Sequence, residues 1–165
     1  MGLVLGASAV AGVGLILGGI VQGLVPLPVR LALLGVLAAA VLLREFGLVD
    51  FRVPENARLV PEHVLQRGPM LGGIQFGFEM GTGMRTYSPS SAPHLVLAAI
   101  VLALPWDGAL VAGAGFAFAR WLMAAASLGH SEDGGWSDTW LLHARLLAAA
   151  TALATVGSLV YAVWV

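Results

Sequence analysis

The chain has 165 residues, 59% of them hydrophobic and only 10% charged, with a formal net charge of −1 at pH 7. Soluble domains carry roughly 25% charged residues, so a water-soluble fold cannot hide this much apolar surface. With no cysteine, disulfides, thiolate metal sites and direct thiol redox chemistry are excluded. The eight basic residues, all arginine, form no stripe of the kind a phosphate backbone needs, so nucleic acid is not an expected partner.

The apolar residues fall in blocks: Gly2 to Val25, Val29 to Leu43, Met70 to Met84, His94 to Leu104, Ala109 to Leu128 and Leu141 to Val165. A helix that crosses a bilayer needs about 20 residues, so the first, fifth and sixth blocks span and the second does so with help from its flanks. No basic residue precedes Arg30, and the first block therefore reads as a retained helix and not as a cleavable signal. Within it Gly14 and Gly18 have the spacing that lets helices approach closely in lipid. Pro26 and Pro28 close that helix and leave a short connection, giving a tight helical hairpin.

A polar loop follows over residues 44–69, with Arg44, Arg52, Arg58 and Arg67 and the breakers Pro54 and Pro61. The positive-inside rule makes it a cytoplasmic loop. Six traversals then put both termini on the cytoplasmic side, with Arg30, Arg85 and Arg145 on or near the opposite one. Glu62 and His63, adjacent in this loop, do not face each other and read as surface.

The third and fourth blocks are too short to span alone and suggest a broken or re-entrant pair, because irregular backbone survives at membrane depth only when buried in protein. At helical spacing Gln75, Glu79 and Thr82 share one side, apart from a small stripe of Gly73, Gly77 and Gly81. An ionised carboxylate at membrane depth is costly and pairs, protonates or lines a path. Arg85 and Arg120 are the candidate partners for Glu79. Met80 and Met84, near Met70, share a face, but methionine commonly fills gaps and no metal is expected.

Next comes Ser88-Pro89-Ser90-Ser91-Ala92-Pro93, whose two prolines must interrupt a helix. From Pro69 to Leu104 the sequence resembles the CcdA and DsbD type of membrane electron carrier, in which a Gly-rich apolar segment leads into a Ser-Pro-Cys-x-x-Pro break. Ser90 stands where the family has its cysteine. The resemblance implies a compact bundle with kinked helices around a central cavity. It does not carry over the redox function, because a serine oxygen has no disulfide-exchange chemistry. What it leaves is a broken helix whose freed backbone groups can serve ions or small solutes at mid-membrane.

The last polar loop, residues 129–139, separates the fifth and sixth blocks; His130, Glu132, Asp133 and Asp138, with His143 beyond it, follow no metal-ligand spacing and read as a solvated loop. Trp106, Trp136 and Trp140 lie where blocks meet loops, as headgroup-level anchors do. No nucleophile elbow, phosphate-binding loop or His-Glu-x-x-His motif occurs, so an enzyme is the distant reading.

These observations predict an all-α integral membrane protein in which residues 1–165 form a single transmembrane domain. Its architecture is a compact bundle of five or six short helical segments with a proline-broken central element, placed by composition in a bacterial inner membrane. The expected function is transport or conduction of a small solute or ion along Gln75, Glu79, Thr82, Arg85, Ser88, Ser90 and Ser91. The alternative is a non-catalytic membrane subunit that binds partners in a larger complex. The lipid bilayer is the expected partner, with a homo-oligomer or larger membrane complex open, and no cofactor is expected.

Overall fold

The computed structural model describes residues 1–53, 64, 68–83, 90–128 and 135–164. Among these the chain forms six helices and no strand: α1 (Gly2–Leu24), α2 (Leu27–Glu45), α3 (Pro69–Thr82), α4 (Ala92–Leu102), α5 (Trp106–Leu128) and α6 (Gly135–Trp164). Four of them, α1, α2, α5 and α6, are long and apolar enough to cross a membrane.

The boundaries follow from local chemistry. Val25, held extended ahead of Pro26, ends α1, and Pro28 at the start of α2 loses no needed N–H. At the far end of α2, Gly47 has φ +74. The Leu48 N–H donates to the Leu43 carbonyl and the Gly47 N–H to that of Arg44, closing a Schellman motif that only an unstrained left-handed residue allows. Most helices run a little past the apolar blocks: α2 takes in Leu27 through Glu45 and α6 begins at Gly135 inside the predicted loop 129–139. Polar residues join a helix readily once a neighbouring turn has nucleated it.

The interior is built mostly from small residues around a few larger ones, Leu34, Val41, Leu95, Ile100 and Leu104, and many of the large apolar side chains point outward. Ala7, Ala11, Ala92, Ala99, Ala109, Ala117, Ala148 and Ala152 are buried, while Ile16, Val36, Val111 and Leu142 are among the exposed ones. Helices that pack without a hydrophobic drive between them use small side chains for close backbone approach. On α1 this division is visible turn by turn. Gly2 and Gly6 face α3, Ala7 and Ala11 meet Gly113 of α5, and Gly14 and Gly18 face Leu97, Ile100 and Val101 of α4.

Chain direction can be read from those pairs. Along α1 the partners on α4 advance from Leu97 to Val101, and Gln22 near the end of α1 reaches the Leu104 carbonyl, so α1 and α4 run the same way. Glu45 at the end of α2 meets Ser91 at the start of α4, so α2 runs back. The partners of Gly2 and Gly6 advance from Ile74 to Thr82, which makes α3 parallel to α1 as well. Arg145 of α6 lies by Gly47, and Ala152 joins the core beyond it. The passes are therefore α1, α2, the pair α3 and α4 together, α5 and α6, which puts the two ends of the described chain at opposite ends of the bundle. The six-traversal expectation with both termini on one side counts α3 and α4 as separate crossings. Their shared direction makes them one interrupted pass of the bundle instead.

Candidate broken-helix site

Helix α4 has 11 residues, about 16 Å at 1.5 Å per residue, against the roughly 30 Å of a bilayer core. A helix this short leaves orphan N–H and C=O groups inside the bundle, and those groups need partners. Side chains of the α1–α2 hairpin supply them at both ends, joined at the N-terminus by Ser90 of the preceding turn. At the N-terminus a carboxylate oxygen of Glu45 accepts from the Ser91 N–H at 2.6 Å, and the Ser90 hydroxyl oxygen accepts from the Ala92 N–H at 3.1 Å. At the C-terminus the Gln22 amide donates to the carbonyls of Ile100, Val101 and Leu104 at 3.3–3.4 Å. There Arg30 donates to the Leu102 carbonyl at 2.8 Å and to that of Val25 at 2.9 Å.

The signs match the helix macrodipole, with a carboxylate at the positive end and a guanidinium at the negative end. Removing the C-terminal cation should cost what a hydrogen bond to a charged group contributes. Arg30→Ala is expected to lower unfolding stability in detergent by about 1.5–3 kcal/mol. An unchanged thermal midpoint would mean that water serves those carbonyls equally well.

Glu45 has only 5% of its side chain exposed and makes a salt bridge with Arg44 at 3.2 Å. Arg44 also donates to the Ser91 hydroxyl and, through Nε, to the Phe51 carbonyl at 3.0 Å. Its guanidinium carbon lies 5.8 Å from the centre of the Phe51 ring. One arginine thus ties the end of α2, the chain beyond it and the start of α4 together. A cavity of about 380 Å³ opens beside this cluster, lined by Arg44, Glu45, Asp50 and Arg145 among others. A second, largely apolar cavity of about 280 Å³ has Ser91, His94 and Leu95 in its wall.

Across the break, α3 carries the other polar group. The Gln75 amide donates to a Glu79 carboxylate oxygen at 3.3 Å, and the Thr82 hydroxyl donates to the Glu79 carbonyl at 2.8 Å. Gly83, with φ +69, then ends the helix. Gln75, Glu79 and Thr82 are therefore brought together as the spacing predicts, and Ser90 and Ser91 meet at the start of α4. Arg85 and Ser88 lie outside the described residues. Arg120, the other proposed partner of Glu79, has its guanidinium carbon 5.3 Å from the centre of the Phe116 ring, a cation–π arrangement. Of the predicted glycine stripe, Gly77 and Gly81 press on the backbone of α1 while Gly73 has open space around it.

Three of the residues that organise the site, Gln22, Arg30 and Glu45, were not legible as site residues in the sequence. The signal for Glu45 is a carboxylate two residues past the end of an apolar block, a position assigned to the loop over residues 44–69 but held in the last turn of α2. Arg145, expected on the other side from Arg44, lies with it at the Glu45 end, because α6 packs along α2 in the opposite direction. The cluster of His130, Glu132 and Asp133 lies outside the described residues.

No family model matches this chain, and neither a curated protein nor a solved structure matches it.

Proposed function

We propose that the protein is a multi-pass protein of the bacterial cytoplasmic membrane that moves a small solute or ion through the broken α3–α4 element. The observation that carries this reading is α4 itself, a half-length helix with both ends held inside the bundle by polar and charged side chains. Transporters build their ion and solute sites at discontinuous helices near mid-membrane. The outward apolar side chains of α1, α2, α5 and α6 support the membrane placement.

On this reading Glu79 binds or relays a cation at the end of α3, beside the break. Residues 88–93 would be the cysteine-less counterpart of the Ser-Pro-Cys-x-x-Pro break, with the Ser90 hydroxyl spent on capping α4 where the carriers have a thiol. Arg44, Arg52 and Arg145 lie at the Glu45 end and Arg30 at the other, so the positive-inside rule turns the Glu45 end to the cytoplasm.

The test is reconstitution of the purified protein in proteoliposomes with an internal pH or cation indicator. Wild-type protein should collapse an imposed gradient faster than empty vesicles, and Glu79→Gln should abolish the excess while the protein still expresses and folds. Flux equal to that of empty vesicles would sink the transport reading. A second reading, a subunit of a larger membrane assembly, draws on Gly19 and Gly23 of α1, Gly35 of α2 and Gly157 of α6, around which no neighbour lies. Such positions let a helix of another chain approach closely. Stoichiometric copurification of a different membrane protein would favour it.

A further inference from the structure

The 380 Å³ cavity at the Glu45 end has the size of a small-ligand site, about 300–1,000 Å³. Four charged side chains line it: Arg44, Glu45, Asp50 and Arg145. Arg44 and Glu45 are spent on one another and on Ser91. That leaves Arg145 and Asp50 as opposite charges in one wall, and among the described residues neither stands in a salt bridge. A ligand that satisfies both must carry an anion and a cation together.

The surroundings say where such a ligand comes from. Arg145 lies about one turn inside the apolar stretch of α6 that begins at Leu141. A cation at that level sits by the phosphate plane of a bilayer, and a guanidinium grips phosphate through two parallel N–H donors. Leu142 and Leu146 on α6 and Leu43 on α2 are exposed close by along the chain and offer apolar surface to acyl chains.

We propose that this cavity seats a phosphate–ammonium headgroup, that of an amine-bearing phospholipid, with the phosphate on Arg145 and the ammonium toward Asp50. The inference rests on the membrane placement proposed above but not on transport.

Membranes of expressing cells are fractionated first, since recovery of the protein in the soluble fraction would defeat the membrane placement itself. The membrane-extracted protein is then purified in mild detergent, and its retained lipids are quantified by mass spectrometry. Wild-type protein should be enriched in phosphatidylethanolamine over phosphatidylglycerol relative to the bulk membrane. Arg145→Ala should cut retained phospholipid about tenfold or more, as expected for loss of a charge-assisted pair of hydrogen bonds, whereas Arg145→Lys should keep part of it. Asp50→Asn should keep phosphate-bearing lipid and lose the preference for the ethanolamine headgroup.

The thermal midpoint of the wild-type protein gives a second readout that does not depend on any variant folding. Added phosphatidylethanolamine should raise it more than phosphatidylglycerol does. Soluble phosphoethanolamine raising it equally would assign the same chemistry to a free solute. Equal lipid retention by wild type and Arg145→Ala, or equal midpoints with both lipids, would overturn the proposal.

Discussion

Gly6→Ala is expected to be among the most damaging single-methyl additions in this protein, although in an isolated helix alanine is the better residue by about 1 kcal/mol. A Cβ at Gly6 would lie 2.2 Å from the Phe78 carbonyl oxygen and 2.9 Å from the Thr82 nitrogen. Carbon and oxygen in favourable contact sit about 3.3 Å apart, so α1 and α3 would have to part by about 1 Å. Neither atom can rotate away, because both belong to the α3 backbone. The separation would also loosen the other contacts of the same seam, where Gly2 meets Ile74 and Phe78 and Gly81 meets Leu3. Overpacking of this kind costs about 1–3 kcal/mol and at times more, and a backbone-to-backbone seam belongs at the upper end.

Gly19→Ala on the same helix is the control, because nothing lies near a Cβ there. It should be neutral or should stabilise by up to about 1 kcal/mol. Thermal or denaturant unfolding in one detergent measures both. If the two variants unfold alike, the close packing of α1 on α3 is not a feature of the protein in solution.

The second large effect is expected at Glu45. Glu45→Ala removes the carboxylate that accepts from the Ser91 N–H and pairs with Arg44. It leaves a partly buried guanidinium and the positive end of α4 without their counter-charge. Breaking a buried pair by removing one partner costs about 3–5 kcal/mol. Glu45→Gln keeps an oxygen to accept from Ser91 and should lose less than the alanine variant. The order wild type, Gln, Ala in thermal midpoint is the expected outcome. If Gln and Ala fall together, the charge matters and the hydrogen bond does not; no loss in either would mean that α4 is anchored by its apolar packing alone.

Glu45 and Glu79 separate two effects that are easily confused. Loss of Glu45 should be read as loss of stability, and loss of Glu79 as loss of flux with stability kept. A protein in which Glu79→Gln unfolds the bundle would place Glu79 among the structural groups, beside Glu45.

Much of this architecture is determined by the sequence alone. All-helical structure follows from long apolar blocks bounded by Pro26, Pro28, Pro93 and Pro105 and by Gly47, Gly68 and Gly83, since proline fixes φ and glycine accepts the left-handed turn at little cost. The grouping of Gln75, Glu79 and Thr82 follows from helical periodicity, a property of one segment. Close approach at Gly14 and Gly18 is also local in origin, because a missing side chain is missing wherever the helix packs.

Only the tertiary structure decided which glycines are indispensable, which carboxylate anchors α4 and how many times the chain crosses the bundle. Gly73 and Gly77 have the same spacing signal, yet one faces open space and the other faces the α1 backbone. Glu45 and Ser91 are 46 positions apart and meet because α2 and α4 run oppositely; Gln22 and Leu104, at the other end, are 82 apart. A short helix cannot leave its terminal N–H and C=O groups unmet inside a bundle, but any donor or acceptor brought near can meet them. Periodicity along one strand of sequence says nothing about which residue of another helix arrives there, and that is the physical reason the anchors of α4 emerged only from the folded chain.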